Sequence, residues 1–145
     1  MTAKAYLQQA RHLDNRIECR IHELESWREL SGRISGSNFE AHYNPNKPNT
    51  APFTRCIEKI IDLERDIDKL IDLKYDISSA IERMDNHEQQ LLLKYRYFDG
   101  ITWREIGTMM NISERTARRL HDTALKNFFE KNKCCPQMPF LSSCN

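Results

Sequence analysis

Thr102-Trp103-Arg104-Glu105-Ile106-Gly107-Thr108-Met109-Met110-Asn111-Ile112-Ser113-Glu114-Arg115-Thr116-Ala117-Arg118-Arg119-Leu120 reads as two short helices set across a tight turn. Thr102 with Glu105 three residues on fits the S/T-x-x-E capping box that opens a helix. Ile106 and Met110 then point inward one turn apart. Gly107 sits between them, where two crossing helices need a residue with little side chain. Asn111 follows, and Asn accepts a positive φ better than most residues after Gly. Ile112 plugs the corner and Ser113 caps the second helix. Along that helix Ala117, Leu120, Ala124 and Phe128 recur at three- and four-residue steps and form its buried face. Arg115, Arg118, Arg119 and Asp122 fall on the other side, with Glu114 at the N-terminal end. A helix that reads DNA needs this division between packing residues and long polar donors.

A further helix precedes this pair. Asp85 is a candidate N-cap with Glu88 three residues on, Leu91, Leu92, Tyr95 and Phe98 supply an apolar face, and Asp99-Gly100 stops it. The order of these features predicts a helix-turn-helix domain over residues 85–130, with double-stranded DNA as its partner. Lys126, Arg104 and the backbone amides capped by Ser113 and Thr102 are the candidate phosphate contacts. Base readout falls to side chains near the start of the second helix. Glu114 has two readings there: it accepts from a cytosine amine, or it only stabilises its own helix N-terminus.

N-terminal to this domain, two long helical patterns flank a break. Leu7, Ala10, Ile17, Ile21 and Leu24, widened by Leu13, Trp27 and Leu30, predict one helix over residues 3–30, about 40 Å long at 1.5 Å per residue. Residues 31–53 hold Gly32, Gly36, Pro45, Pro48 and Pro52 and read as a flexible linker. From residue 54 to 84 the period returns. Ile60, Leu63, Ile67, Leu70, Ile77, Ile81 and Met84 make a heptad seam, with Lys74 in the missing slot and Cys56 and Ile61 off it. The seam has two uses: an antiparallel hairpin within residues 1–84, or a homodimer. The expected fold is all-α, a long N-terminal helical hairpin of coiled-coil character followed by a helix-turn-helix domain. Residues 131–145, with Pro136 and Pro139, read as a loose tail.

The run Leu93-Lys94-Tyr95-Arg96-Tyr97-Phe98-Asp99-Gly100-Ile101-Thr102-Trp103-Arg104-Glu105-Ile106-Gly107 resembles region four of sigma-70-type factors. So does Ile112-Ser113-Glu114-Arg115-Thr116-Ala117-Arg118-Arg119-Leu120, with Ala124-Leu125 after it. The layout, with its opening Lys4-Ala5-Tyr6-Leu7 and Leu13-Asp14, also resembles small phage-encoded regulators of Gram-positive bacteria, similar in character to the RinA and ArpU late-gene regulators. The resemblance implies a recognition helix in the major groove whose base-reading residues fall on Glu114, Arg115, Arg118 and Arg119. It also implies transcription regulation in a phage or prophage, with RNA polymerase as a further partner. Nothing here resembles region two, which melts promoter DNA, so a complete initiation role is not expected.

Composition sets outer limits. Residues 1–54 hold seven Lys/Arg and six Asp/Glu, residues 55–85 six and nine, and residues 86–133 nine and six, so positive charge gathers C-terminally. That is where a phosphate-binding surface is wanted. The chain lacks a secretory signal and any run near the roughly 18 apolar residues that span a membrane, which predicts a cytoplasmic protein of a bacterial host, without a membrane partner. Its cysteines number five, an odd count expected of reduced thiols. Cys19 with His22, and Cys134 with Cys135, lack the spacing of zinc knuckles, so no metal is expected. No cofactor is expected either, since no Gly-rich phosphate loop occurs. No enzyme is expected: Ser113, His121 and Asp122 lie on one helix pointing different ways, and His87-Glu88 lacks a second His. The rival to DNA binding is a helical protein-interaction module whose basic face is merely solvated.

Overall fold

The computed structural model describes residues 1–36 and 52–133. Among the described residues the chain forms six α-helices and no strand. They are α1 (Ala3–Gln8), α2 (Leu13–Gly36), α3 (Pro52–Glu82), α4 (His87–Tyr97), α5 (Trp103–Met110) and α6 (Glu114–Asn132). The chain divides into two compact units, one of Met1–Asp14 with Asp72–Asn145, the other of Asn15–Ile71. Most of the expected linker and tail, residues 37–51 and 134–145, lies outside the described residues.

The Asn15–Ile71 unit is a pair of helices drawn from α2 and α3. Leu24, Leu63 and Ile67 are buried in one cluster, with Trp27 and Ile60 packed against it. Arg28 bonds Glu64 at 2.6 Å and Lys59 faces Glu23 at 3.5 Å. The heptad seam is thus filled within the chain. Cys56, expected off the seam, is 3% exposed, because it continues the same stripe one turn before Ile60. Ile61 does face outward, at 48% exposure.

α2 ends later and α3 begins earlier than expected. α2 continues through Gly32 to Gly36, so Gly32 costs helix propensity, about 1 kcal/mol, without ending the helix. Ser31 Oγ donates to the carbonyl of Arg28 at 2.8 Å there. α3 begins at Pro52, because a first-turn residue needs no amide partner.

The expected single helix over residues 3–30 is interrupted. The amides of Gln9, Ala10, Arg11 and Leu13 bond carbonyls three residues back, and His12 takes a left-handed φ of 63°. Leu7, Ala10 and Leu13 follow one another at steps of three. That spacing suits a turn of 3.0 residues, in which i and i+3 eclipse, better than a turn of 3.6. All three are buried to 1% or less.

Those side chains belong to the other unit, where α1 packs on α6 and the Tyr6 ring stacks on Phe128 at 6.2 Å. The core of that unit also takes Ile77 and Ile81 of α3, Leu92 and Leu93 of α4, Ile106 of α5, and Ala117, Ala124 and Phe128 of α6. Lys74, the charged residue in the seam, is answered by Asp14. Asn132 is fully buried and fully bonded. Its amide donates to the carbonyls of Ala80 and Phe128, and its oxygen accepts from Arg83. α6 therefore runs past the expected end at residue 130, and Asn132 holds its last turn against α3.

Candidate nucleic-acid interface

Three caps set the geometry of the helix-turn-helix. The first was expected at Asp85 and lies one residue later. Asn86 Oδ1 accepts from the amides of Glu88 and Gln89 at 2.9 and 3.2 Å, while Asp85 pairs with Lys131. Asn86 has the extended backbone a cap requires, and its side chain closes the ring that Asp85 was expected to close. The buried face of α4 is correspondingly rotated: Leu92, Leu93 and Tyr97 are buried, whereas Leu91 is 42% exposed. Gln90 reaches back to donate to the carbonyl of Met84.

The second cap matches expectation in full. Thr102 Oγ1 accepts from the Glu105 amide, and the Glu105 carboxylate accepts from the Thr102 amide and hydroxyl, at 3.0 and 2.6 Å. These bonds hold the Glu105 carboxyl below its ordinary pKa. The third is Ser113, whose hydroxyl accepts from the Thr116 amide at 3.1 Å.

Between α5 and α6 the chain turns on Asn111, at φ 55° and ψ 39°. The Ile112 amide bonds back to the carbonyl of Gly107 at 2.9 Å. A Cβ on Gly107 would stand 2.8 Å from the carbonyl oxygen of Ile112. The glycine is thus required by the backbone of the turn itself, more than by packing between helix sides.

α6 presents its expected division. Ala117, Ala124 and Phe128 are buried and Leu120 is half-buried, and Glu114, Arg115, Arg118 and Arg119 are exposed. At 100° per residue, Arg115, Arg119, Asp122 and Lys126 fall within about 60° of one another on the outer face. Among the described residues, Arg115, Arg119 and Lys126 have no carboxylate partner, as the ion pairs fall elsewhere. Glu114 and Arg118 are bonded to each other at 2.7 and 3.2 Å. Thr102, Arg104 and Ser113 are exposed around the turn and the two helix starts.

Sequence reasoning passed over the joint behind this face. Trp103, at the start of α5, meets the His121 ring edge-on at 4.9 Å and carries Arg96 at 4.6 Å and Arg118 at 5.5 Å from its ring centre. The Arg96 guanidinium also donates to the carbonyl of Ile101 at 3.0 Å. Tyr97 Oη and His121 Nε2 are 3.0 Å apart. Burial lowers the His121 pKa, helped by the charges of Lys4 and Arg96, while Asp122 opposes it. Burial pushes Tyr97 up to about 12, against Arg96. The Tyr97–His121 hydrogen bond ties α4 to α6. The signal was present: His121 is one turn past Ala117 and so on the buried arc.

Among the described residues no group of three or more His, Cys, Asp or Glu could hold a metal. No helix described is long and apolar enough to cross a membrane.

Residues 80–128 match the family model described as Sigma-70, region 4. This stretch is a helix-turn-helix of the kind that binds DNA in transcription regulation, a class that is not catalytic. No curated protein and no solved structure matches the chain.

Proposed function

We propose that this chain is a sequence-specific double-stranded DNA-binding regulator of transcription, placing α6 in the major groove, in a phage or prophage of a bacterial host cytoplasm. The observation that carries this reading is the outer face of α6, where Arg115, Arg119 and Lys126 stand exposed without carboxylate partners among the described residues. Arginine bonds guanine bidentately in that groove, worth about 1–3 kcal/mol of discrimination per good pair. Arg115 and Arg119 are the leading base readers. Glu114 and Arg118 join them when their mutual bond opens on contact with bases, an exchange that is nearly neutral because exposed i,i+4 pairs are worth only about 0.3–0.5 kcal/mol. Arg104 and Lys126, with the amides at the capped helix starts of Thr102 and Ser113, hold phosphates.

One small helix-turn-helix gives limited affinity, so a second anchor is required. The resemblance to sigma region four favours RNA polymerase as that anchor. A homodimer is the alternative anchor, and it would use a surface other than the filled seam. Selection of bound fragments from random duplex DNA at moderate salt tests the reading. A single enriched motif is expected, and its half-site spacing reports a dimer if one forms. Recovery of unenriched DNA contradicts specific readout.

A second reading has its own observation. Phe53, Ile57 and Ile61 of α3 are 41%, 36% and 48% exposed at steps of four. Such a stripe suits a protein-interaction helix, and in that reading DNA retention is absent or independent of salt.

A further inference from the structure

Beside α6 lies a cleft of about 360 Å³ that the helix-turn-helix alone does not form. Its cationic lining comes from four places: Lys4 of α1, Arg11 of the turn after it, Arg96 of α4 and Arg118 of α6. Asp122 is the one carboxylate in that lining. Arg96 is held in place by Trp103 and by the Ile101 carbonyl, and Arg118 lies over the same ring. Lys4 and Arg11 are exposed and have no carboxylate partner among the described residues. Four like charges around one concavity repel, and the arrangement is relieved by a bound anion.

The position of the cleft names the anion. Arg118, Asp122 and Leu125 line it from α6, on the flank of the helix next to the Arg115–Lys126 face. A helix lying in a major groove about 12 Å wide has a phosphate backbone along each flank. We propose that the cleft grips backbone phosphates of the duplex read by α6, with Lys4 and Arg11 as contacts supplied by the N-terminal segment. The break at His12 acquires a use: it leaves Arg11 in a turn at the cleft while Leu7 and Leu13 stay buried. This inference rests on the DNA-binding reading above.

The test measures binding of the full chain to a duplex across a salt series, for the wild type, for Lys4→Gln with Arg11→Gln, and for Arg115→Ala with Arg119→Ala. Each phosphate contact contributes a slope of about 0.9 in log K against log salt. The Lys4/Arg11 variant should lose about 1.8 from the slope and, on the order of tenfold, affinity at 0.1 M salt, with sequence preference and melting temperature kept. The Arg115/Arg119 variant should lose the sequence preference. A Lys4/Arg11 variant with wild-type slope and affinity overturns the inference and leaves the reading standing. So does one with weakened binding at unchanged slope, or with an altered motif. Thermal stabilisation by inorganic phosphate, lost in that variant while its DNA slope is unchanged, overturns it in favour of a small anionic ligand. A wild type that does not bind duplex overturns both.

Discussion

Single residues set the turn and the joint. Gly107 is the clearest, since any Cβ there meets the Ile112 carbonyl oxygen at 2.8 Å. Backbone has no rotamer to give way, so Gly107→Ala should destabilise the helix-turn-helix unit by about 1–3 kcal/mol in urea unfolding. A neutral effect would show that the turn relaxes freely. His121 gives a pH signature. Its pKa is lowered in the fold by burial, with Lys4 and Arg96 adding and Asp122 opposing. The unfolded chain therefore binds a proton first as pH falls. Stability from this group is whole above the ordinary His pKa of about 6.5 and is lost as pH drops below it. Melting temperature should fall between pH 7.5 and pH 5, and His121→Asn should flatten that part of the profile. A profile equally steep in the variant would assign the acid sensitivity elsewhere.

At the scale of elements, α1 is the unexpected member. Leu7 is fully buried and Tyr6 stacks on Phe128, so six residues at the N-terminus stabilise a domain far along the chain. Leu7→Ala should cost about 2–5 kcal/mol and lower the unfolding midpoint of α6 together with that of α1. Loss confined to α1 would mean that it docks without supporting α6. Legibility followed the range of the interactions. The caps at Thr102 and Ser113, the left-handed Asn111 and the need for Gly107 were readable because each is settled within a few residues. Periodicity gave the seam of α3, since a heptad stripe is a local pattern. The break at residues 9–12 was not readable, because Leu7, Ala10 and Leu13 also suit one face of a long helix and only their distant partners choose the turn. Asp85 and Asn86 are both good caps by type, and one residue of phase separates them. The pairing of Trp103 with Arg96, Arg118 and His121 joins three helices, and no spacing along the chain announces it.

For the whole molecule, Asn15–Ile71 is a hairpin whose seam is used internally, and the other unit carries the side chains proposed to face DNA. Sedimentation at several concentrations should therefore show a monomer in the absence of DNA; a concentration-dependent dimer would mean that the exposed stripe of Phe53, Ile57 and Ile61 pairs with a second copy. The central claim is that the outer face of α6 binds duplex DNA. The most direct test is salt-titrated binding of the wild type and of Arg115→Ala with Arg119→Ala, with helicity followed by circular dichroism. Both side chains are exposed, so the helix should survive. The expected result is retained helicity, an affinity for the selected site lower by on the order of 10–1,000-fold, and lost preference over random duplex. Unchanged affinity and unchanged preference, with helicity retained, would contradict the account.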